Sequence, residues 1–173
     1  IMATREALIS DINLTVQNMQ MEFPKFFAQM IGGGAELLQN MSALDLEEKI
    51  KQEAKRNREA DDNSMMGPHM TDLNVTHLEK NQSANEASTG EQKALLVTFI
   101  LAHAHLQANR LKKPPLLLLD DVAALLDPWR RDALFYACEA LSGQVWCSGS
   151  DEQSLSFFKS KAQYFFVDNG IIS

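Results

Sequence analysis

Four consecutive leucines, Leu116 to Leu119, follow the prolines Pro114 and Pro115 and end on two carboxylates, Asp120 and Asp121. A run this short and wholly apolar reads as a strand buried on both faces, which is the habit of parallel sheets. Parallel neighbours require a crossover connection, usually a helix. The flanks supply it. Gln92 to Leu106 is apolar almost all round, the pattern of a helix covered on most sides. Asp127, followed by Pro128, predicts the cap and first turn of another helix reaching about Leu141, stopped by Gly143. "QVWCSG", from Gln144, is the next strand. The expected class is α/β.

The remaining segments fit around that centre. Apolar residues recur at helical spacing from Met2 to Val16. "MQMEF", Met19 to Phe23, alternates as a short strand before Pro24, and "FPKFFAQMIGGG" closes on three glycines as a loop or helix stop. Leu44 to Ala60 is a charged helix with opposite charges three and four apart. "DDNS" breaks it, and a boundary is expected near residue 66, dividing the chain into 1–66 and 67–173. Met65 and Met66 beside that boundary read as filler. "MMGPHMTDLNVTHL" enters a strand through a Gly-Pro turn, and "EKNQSANEAS" is a loop. Ser150 to Gln153 is read as a capping box opening a helix through Phe158, and "YFFVDNGIIS" as a hairpin turning at Asn169-Gly170.

The 173 residues suffice for one domain with a core, and a formal charge of −7 argues against this segment being the main grip on nucleic acid. Cys138 and Cys147 form no CxxC pair, so a disulfide framework is not expected and a reducing cytoplasm is. No apolar run is long enough for a bilayer, and no membrane partner is expected. Ile1 in place of an initiating methionine suggests a piece of a longer protein.

Two stretches carry chemistry. An aspartate ending a parallel strand lies at the carboxyl edge where α/β sheets bind ligands. Asp120 suits the hard-cation role of holding Mg²⁺ near nucleotide phosphates, and Asp121 suits orienting or deprotonating an attacking water. The plain alternative is a strand end with solvated acids. "STGE", Ser88 to Glu91, has the spacing of a capping box, which alone accounts for it. The same geometry makes an anion site of free N–H groups, a positive helix end and a serine hydroxyl, with Gly90 admitting a close approach.

Taken in order, "STGEQK", "LLLLDD", "LLD" (Leu125 to Asp127) and "QVWCSGSD" resemble the C-terminal half of an ATP-binding-cassette head. From "GPH" (Gly67 to His69) onward the chain resembles the RecF family, recombination-mediator ATPases related to the structural-maintenance-of-chromosomes (SMC) heads. The resemblance implies a mostly parallel sheet flanked by helices in 67–173, preceded in 1–66 by the end of a mainly helical arm lobe. It implies that Ser88, Thr89, Gly90 and Glu91 are the signature motif touching ATP held by the opposite subunit. Asp120 would be the Mg²⁺-binding aspartate, Asp121 the hydrolytic carboxylate and Asp127 the aspartate at the dimer seam. It further implies DNA repair, recombination and replication in the cytoplasm, within the SOS response. The implied partners are single-strand/duplex DNA junctions, an ATP-dependent homodimer and recombination-mediator proteins.

Three departures stand out. Met70 occupies the place after "GPH" where the family usually has arginine, and Ser150 stands where transporter cassettes have a switch histidine. No glycine is followed by lysine, so the phosphate loop G-x-x-x-x-G-K-S/T is absent from this chain, which alone is expected to be inactive. The alternatives are a non-hydrolysing head acting as a DNA- or protein-binding scaffold and another short-armed SMC-like ATPase. His103 and His105 lie two apart on a helix and make a poor metal pair. His69 is read as a locally bonded turn residue, and Trp129 and Trp146 as core.

Overall fold

A computed structural model describes residues 1–19, 23–60 and 67–172. In chain order the elements are α1 (Met2–Asn18), β1 (Phe26–Ile31), α2 (Ala43–Ala60), β2 (Asp72–His77), β3 (Gln82–Ser83) and α3 (Thr89–Leu111). Then follow β4 (Leu117–Leu119), α4 (Pro128–Leu141), β5 (Val145–Cys147), α5 (Glu152–Leu155), β6 (Val167–Asp168) and β7 (Ile171–Ile172). No helix among the described residues is long and apolar enough to cross a membrane.

The expected parallel pair is present. β4 and β5 run side by side with Leu117, Leu118 and Leu119 opposite Val145, Trp146 and Cys147. The other ladders are antiparallel. β1 pairs with β2 from Phe26↔His77 to Ile31↔Asp72, so this ladder joins residues on either side of position 66. β3 adds two pairs to β2, and β6 and β7 form the expected hairpin with Asn169 and Gly170 both at positive φ.

β1 corrects the reading of "FPKFFAQMIGGG" as loop or helix stop. Phe26, Ala28 and Met30 are buried while Phe27, Gln29 and Ile31 are exposed, which is strand alternation. Apolar Phe27 and Ile31 on the outer face hid the period of two. The strand proposed over Met19 to Phe23 lies largely outside the described residues, as do "DDNS", Met65 and Met66. The glycines after β1 are demanded by packing. Gly33 has a φ of 57°, and a Cβ there would come within 2.4 Å of the Gly67 carbonyl oxygen.

Two apolar cores share α3 as their wall. On one side Met2, Ile9, Ile12 and Val16 of α1 meet the inner face of β1 and Leu95 and Ala102 of α3. Phe26 stacks on Phe99 with centroids 5.5 Å apart. On the other side Val97, Leu101 and Ala104 of α3 pack with Leu117 and Leu119 of β4 and Leu134, Ala137 and Leu141 of α4. α3 therefore needs apolar residues on nearly every side, as its sequence indicates, although Leu96 stays exposed. Asn13 adds a polar weld to the first core. Its amide nitrogen donates to the Ala28 carbonyl at 2.7 Å, and its carbonyl accepts from the Ala28 N–H at 2.8 Å. These are the two mid-strand backbone groups of β1, and the interaction is buried.

Candidate functional site

Asp120 and Asp121 lie directly past β4, at its carboxyl end. The parallel ladder brings Ser148, the residue after β5, to the same place: its N–H donates to the Leu119 carbonyl at 2.9 Å. The Ser148 hydroxyl then donates to Oδ1 of Asp120 and accepts from the Asp121 N–H at 3.0 Å. Asp121 adopts a φ of 48°, a left-handed conformation that aspartate tolerates better than most residues. One hydroxyl thus orients the first carboxylate and pins the backbone of the second. No hydrogen bond or ion pair among the described residues takes up the Asp121 carboxylate. Burial, and secondarily the negative charge of Asp121, push the nearby Cys147 thiol up to about 11, so it stays protonated and unreactive at neutral pH. Cys138 is pushed to about 12, chiefly by burial.

The donor set fits a shared Mg²⁺ site rather than a closed cage. Mg²⁺ commonly takes one or two carboxylates and fills its octahedron with phosphate oxygens and water. Asp120 and the Ser148 hydroxyl offer that much. No group of three or more His, Cys, Asp or Glu side chains among the described residues is placed to hold a metal.

Ser88 caps α3, and the capping box is fully formed. The Ser88 N–H donates to Oε2 of Glu91 at 2.9 Å, and its hydroxyl donates to the same oxygen at 2.8 Å. The Glu91 N–H returns a long bond of 3.4 Å to the hydroxyl. The other Glu91 oxygen receives the Lys80 ammonium. Lys80, then the Ser88 hydroxyl and N–H, hold the Glu91 carboxyl down at about 2. A depressed carboxylate stabilises the fold above its usual value near 4.5, and that contribution is lost as pH falls toward 2. Thr89 and Gly90 complete the exposed first turn. A Cβ on Gly90 would meet nothing within 4 Å.

Asp127 caps α4 as expected. It accepts from the Arg130 N–H at 2.9 Å and from the Arg130 guanidinium at 2.9 Å, with Pro128 in the first turn. The buried Nε of Arg130 has no hydrogen-bond partner among the described residues. The structure therefore joins Ser88 with Glu91, and Asp120 with Asp121 through Ser148. No hydrogen bond or ion pair among the described residues links these groups to each other or to Asp127.

Three residues at these places escaped the sequence reading: Ser148, Lys80 and Arg5. Ser148 was findable, because aligning the ends of two parallel strands sets the residue after one beside the carboxylate after the other. Lys80 and Arg5 reach across the fold and leave no local signal. Arg5, on α1, donates to the Pro68 carbonyl at 2.7 Å and the Thr71 hydroxyl at 3.1 Å, tying α1 to the Gly67-Pro68-His69 turn. Two expectations are corrected. The last helix is capped by Asp151, which accepts from the Ser154 N–H at 2.7 Å, because Ser150 sits one residue too early. Trp129 and Trp146 are not core but 56% and 52% exposed, since each lies on an outer face of its element.

No family model matches the chain. The DNA replication and repair protein RecF of Agrobacterium fabrum is 44% identical over 137 residues, which are 78% of this chain and 36% of that protein. RecF of Rhizobium rhizogenes is 46% identical over 134 residues, 76% of this chain and 36% of the relative. RecF of Brucella abortus is 41% identical over 151 residues, 86% and 39%. The chain thus spans 36 to 39% of the length of these relatives. A solved structure of the recombination mediator protein RecF-ATPrS in the RecFOR pathway superposes on 98% of this chain and 44% of its own, with a TM-score of 0.56 at 16% identity. The fold defines the class: an α/β arrangement whose parallel strand pair and flanking helices superpose on part of a solved RecF structure. At 41 to 46% identity over most of its length, the chain belongs to the RecF family of DNA replication and repair proteins.

Proposed function

We propose that, in the full-length protein, this chain supplies the half of an ATP site that completes the nucleotide held by an opposite subunit, and the carboxylates that hydrolyse it. Residues 67–173 are taken as the C-terminal half of the head and 1–66 as the end of the arm lobe, tied together by the β1–β2 ladder. The observation that carries the reading is the Ser148 bridge. It orients Asp120 at the carboxyl end of a parallel strand and holds the Asp121 backbone, while no hydrogen bond or ion pair among the described residues takes up the Asp121 carboxylate. Asp120, with the Ser148 hydroxyl beside it, would contribute to holding Mg²⁺, which supplies charge neutralisation at the phosphates. Asp121 positions or deprotonates the attacking water. The exposed start of α3, with Ser88, Thr89 and Gly90, meets the γ-phosphate across the seam, and Asp127 lies on that seam. ATP-dependent closure of two heads then grips DNA at single-strand/duplex junctions, and hydrolysis reopens it. With recombination-mediator proteins, that cycle supports recombinase loading in the cytoplasm.

The test uses the full-length protein. Asp121→Asn should bind ATP and dimerise as the parent does while hydrolysis falls about 100-fold or more, the usual contribution of a positioned general base. Hydrolysis at the parent rate would remove Asp121 from the mechanism. Ser88→Arg should leave ATP binding to the monomer intact and abolish ATP-dependent dimerisation in sedimentation equilibrium.

A further inference from the structure

We infer that Lys80 is a positioning residue for the phosphate-facing end of α3: it cancels the charge of Glu91 and holds that carboxylate against Ser88. The helix end then presents its free first-turn N–H groups to an arriving anion, with no uncompensated carboxylate among them. This inference rests on the reading of Ser88 to Glu91 as the motif that meets a phosphate.

Lys80 belongs to the tight connection between β2 and β3, where His77 pairs with Gln82 and Asn81 takes a φ of 48° to close the turn. That turn carries the ammonium from eleven residues upstream to the start of α3. The two carboxylate oxygens of Glu91 have separate duties. One meets Lys80, and the other takes both the N–H and the hydroxyl of Ser88. The Glu91 side chain is only 16% exposed, whereas that of Lys80 is 53% exposed. The acid is thus fixed and the base reaches in from solvent.

A capping glutamate is ordinarily an asset at a helix start, because it complements the positive end of the helix dipole. Where the ligand is itself a polyanion the same charge works against binding, since like charges a few ångström apart repel strongly in a site closed from water. An ammonium on the far oxygen keeps the capping geometry and removes most of that repulsion. A capping box on its own has no need of Lys80, because Ser88 and Glu91 already satisfy each other.

A double-mutant cycle in the full-length protein tests this, read by ATP-dependent dimerisation in sedimentation equilibrium beside a nucleotide-binding titration of the monomer. Lys80→Met should weaken dimerisation about tenfold or more, with monomer binding unchanged, and the deficit should shrink as salt screens the charge. Lys80→Arg should restore dimerisation. In a Glu91→Gln background, where there is no charge to cancel, Lys80→Met should have no further effect. A purely structural role predicts the opposite: the same loss in both backgrounds, insensitive to salt. That result, or normal dimerisation of Lys80→Met while Ser88→Arg fails, overturns the inference and leaves the signature-motif reading standing. Normal dimerisation of Ser88→Arg overturns the reading itself.

Discussion

β1, in the antiparallel sheet, has its inner face under α1 and α3 and its mid-strand backbone taken up by Asn13. β4, in the parallel pair, buries Leu117 and Leu119 against α3 and α4 but leaves Leu118 71% exposed. Beside Leu118 lies Trp146, its register partner, whose ring stacks on Phe165 at 6.2 Å. An antiparallel sheet tolerates water on one face; a parallel one rarely does. The first layer is therefore covered on its inner face by this chain, and the second leaves an outer face open among the described residues that other material would cover in the full-length protein. The carboxylates Asp120 and Asp121 stand at the end of that unfinished layer. The proposed chemistry therefore stands on the layer that this chain covers on one face only.

The sharpest way to break this contrast uses two adjacent leucines. Leu119→Ala removes a side chain from the buried face and should cost about 2–5 kcal/mol. Leu118→Ala, one residue away on the outer face, should lie within about 0.5 kcal/mol of the parent. Urea unfolding of the two variants decides it. Equal losses would show that β4 is covered on both faces within this chain and that the layer is complete.

A second variant probes the finished side. Asn13→Leu keeps an apolar contact but strips the Ala28 N–H and carbonyl of their partners. An unsatisfied buried backbone group costs about 1–3 kcal/mol, so the two together should cost about 2 kcal/mol or more. Amide exchange at Ala28 should accelerate relative to α3 and β2. An unchanged exchange rate at Ala28 would mean that the α1–β1 weld is dispensable and that the antiparallel layer is held by its apolar core alone.

The difference between the layers also explains what was legible. Leu117 and Leu119 announce a buried strand, and Asp127-Pro128 announces a helix start, because those signals are local and strong. The strand β1 was lost because Phe27 and Ile31 make its outer face as apolar as its inner one. The exposed tryptophans were misplaced for a related reason. Trp129 and Trp146 have the composition of core, and only the faces of their elements that they occupy leave each about half exposed. The positions of Asp120 and Asp121 at the end of β4, and of Ser88 and Asp127 as the caps of α3 and α4, were legible from local sequence. Lys80 and Arg5 reach partners 11 and 63 residues away and leave no local pattern, whereas Ser148, 28 residues from Asp120, follows once the ends of β4 and β5 are aligned.

The smallest effect separates fold from function at two glycines. Gly33 is required by this chain: its φ is positive, and a Cβ would run into the Gly67 carbonyl oxygen. Gly90 is not. It has no positive φ, and a Cβ there would point into open space. Within this chain alanine should be the better residue, because it restricts the unfolded state without straining the helix. Gly90→Ala should therefore stabilise the chain by about 0.4–1 kcal/mol in urea unfolding. If Ser88 to Glu91 meet a phosphate as proposed, glycine at position 90 admits a close approach of that ligand to the backbone. In the full-length protein the same substitution should weaken ATP-dependent dimerisation while leaving nucleotide binding to the monomer unchanged. If Gly90→Ala stabilises the fold and dimerises with ATP as well as the parent, nothing approaches that turn closely, and the start of α3 is a helix cap and no more.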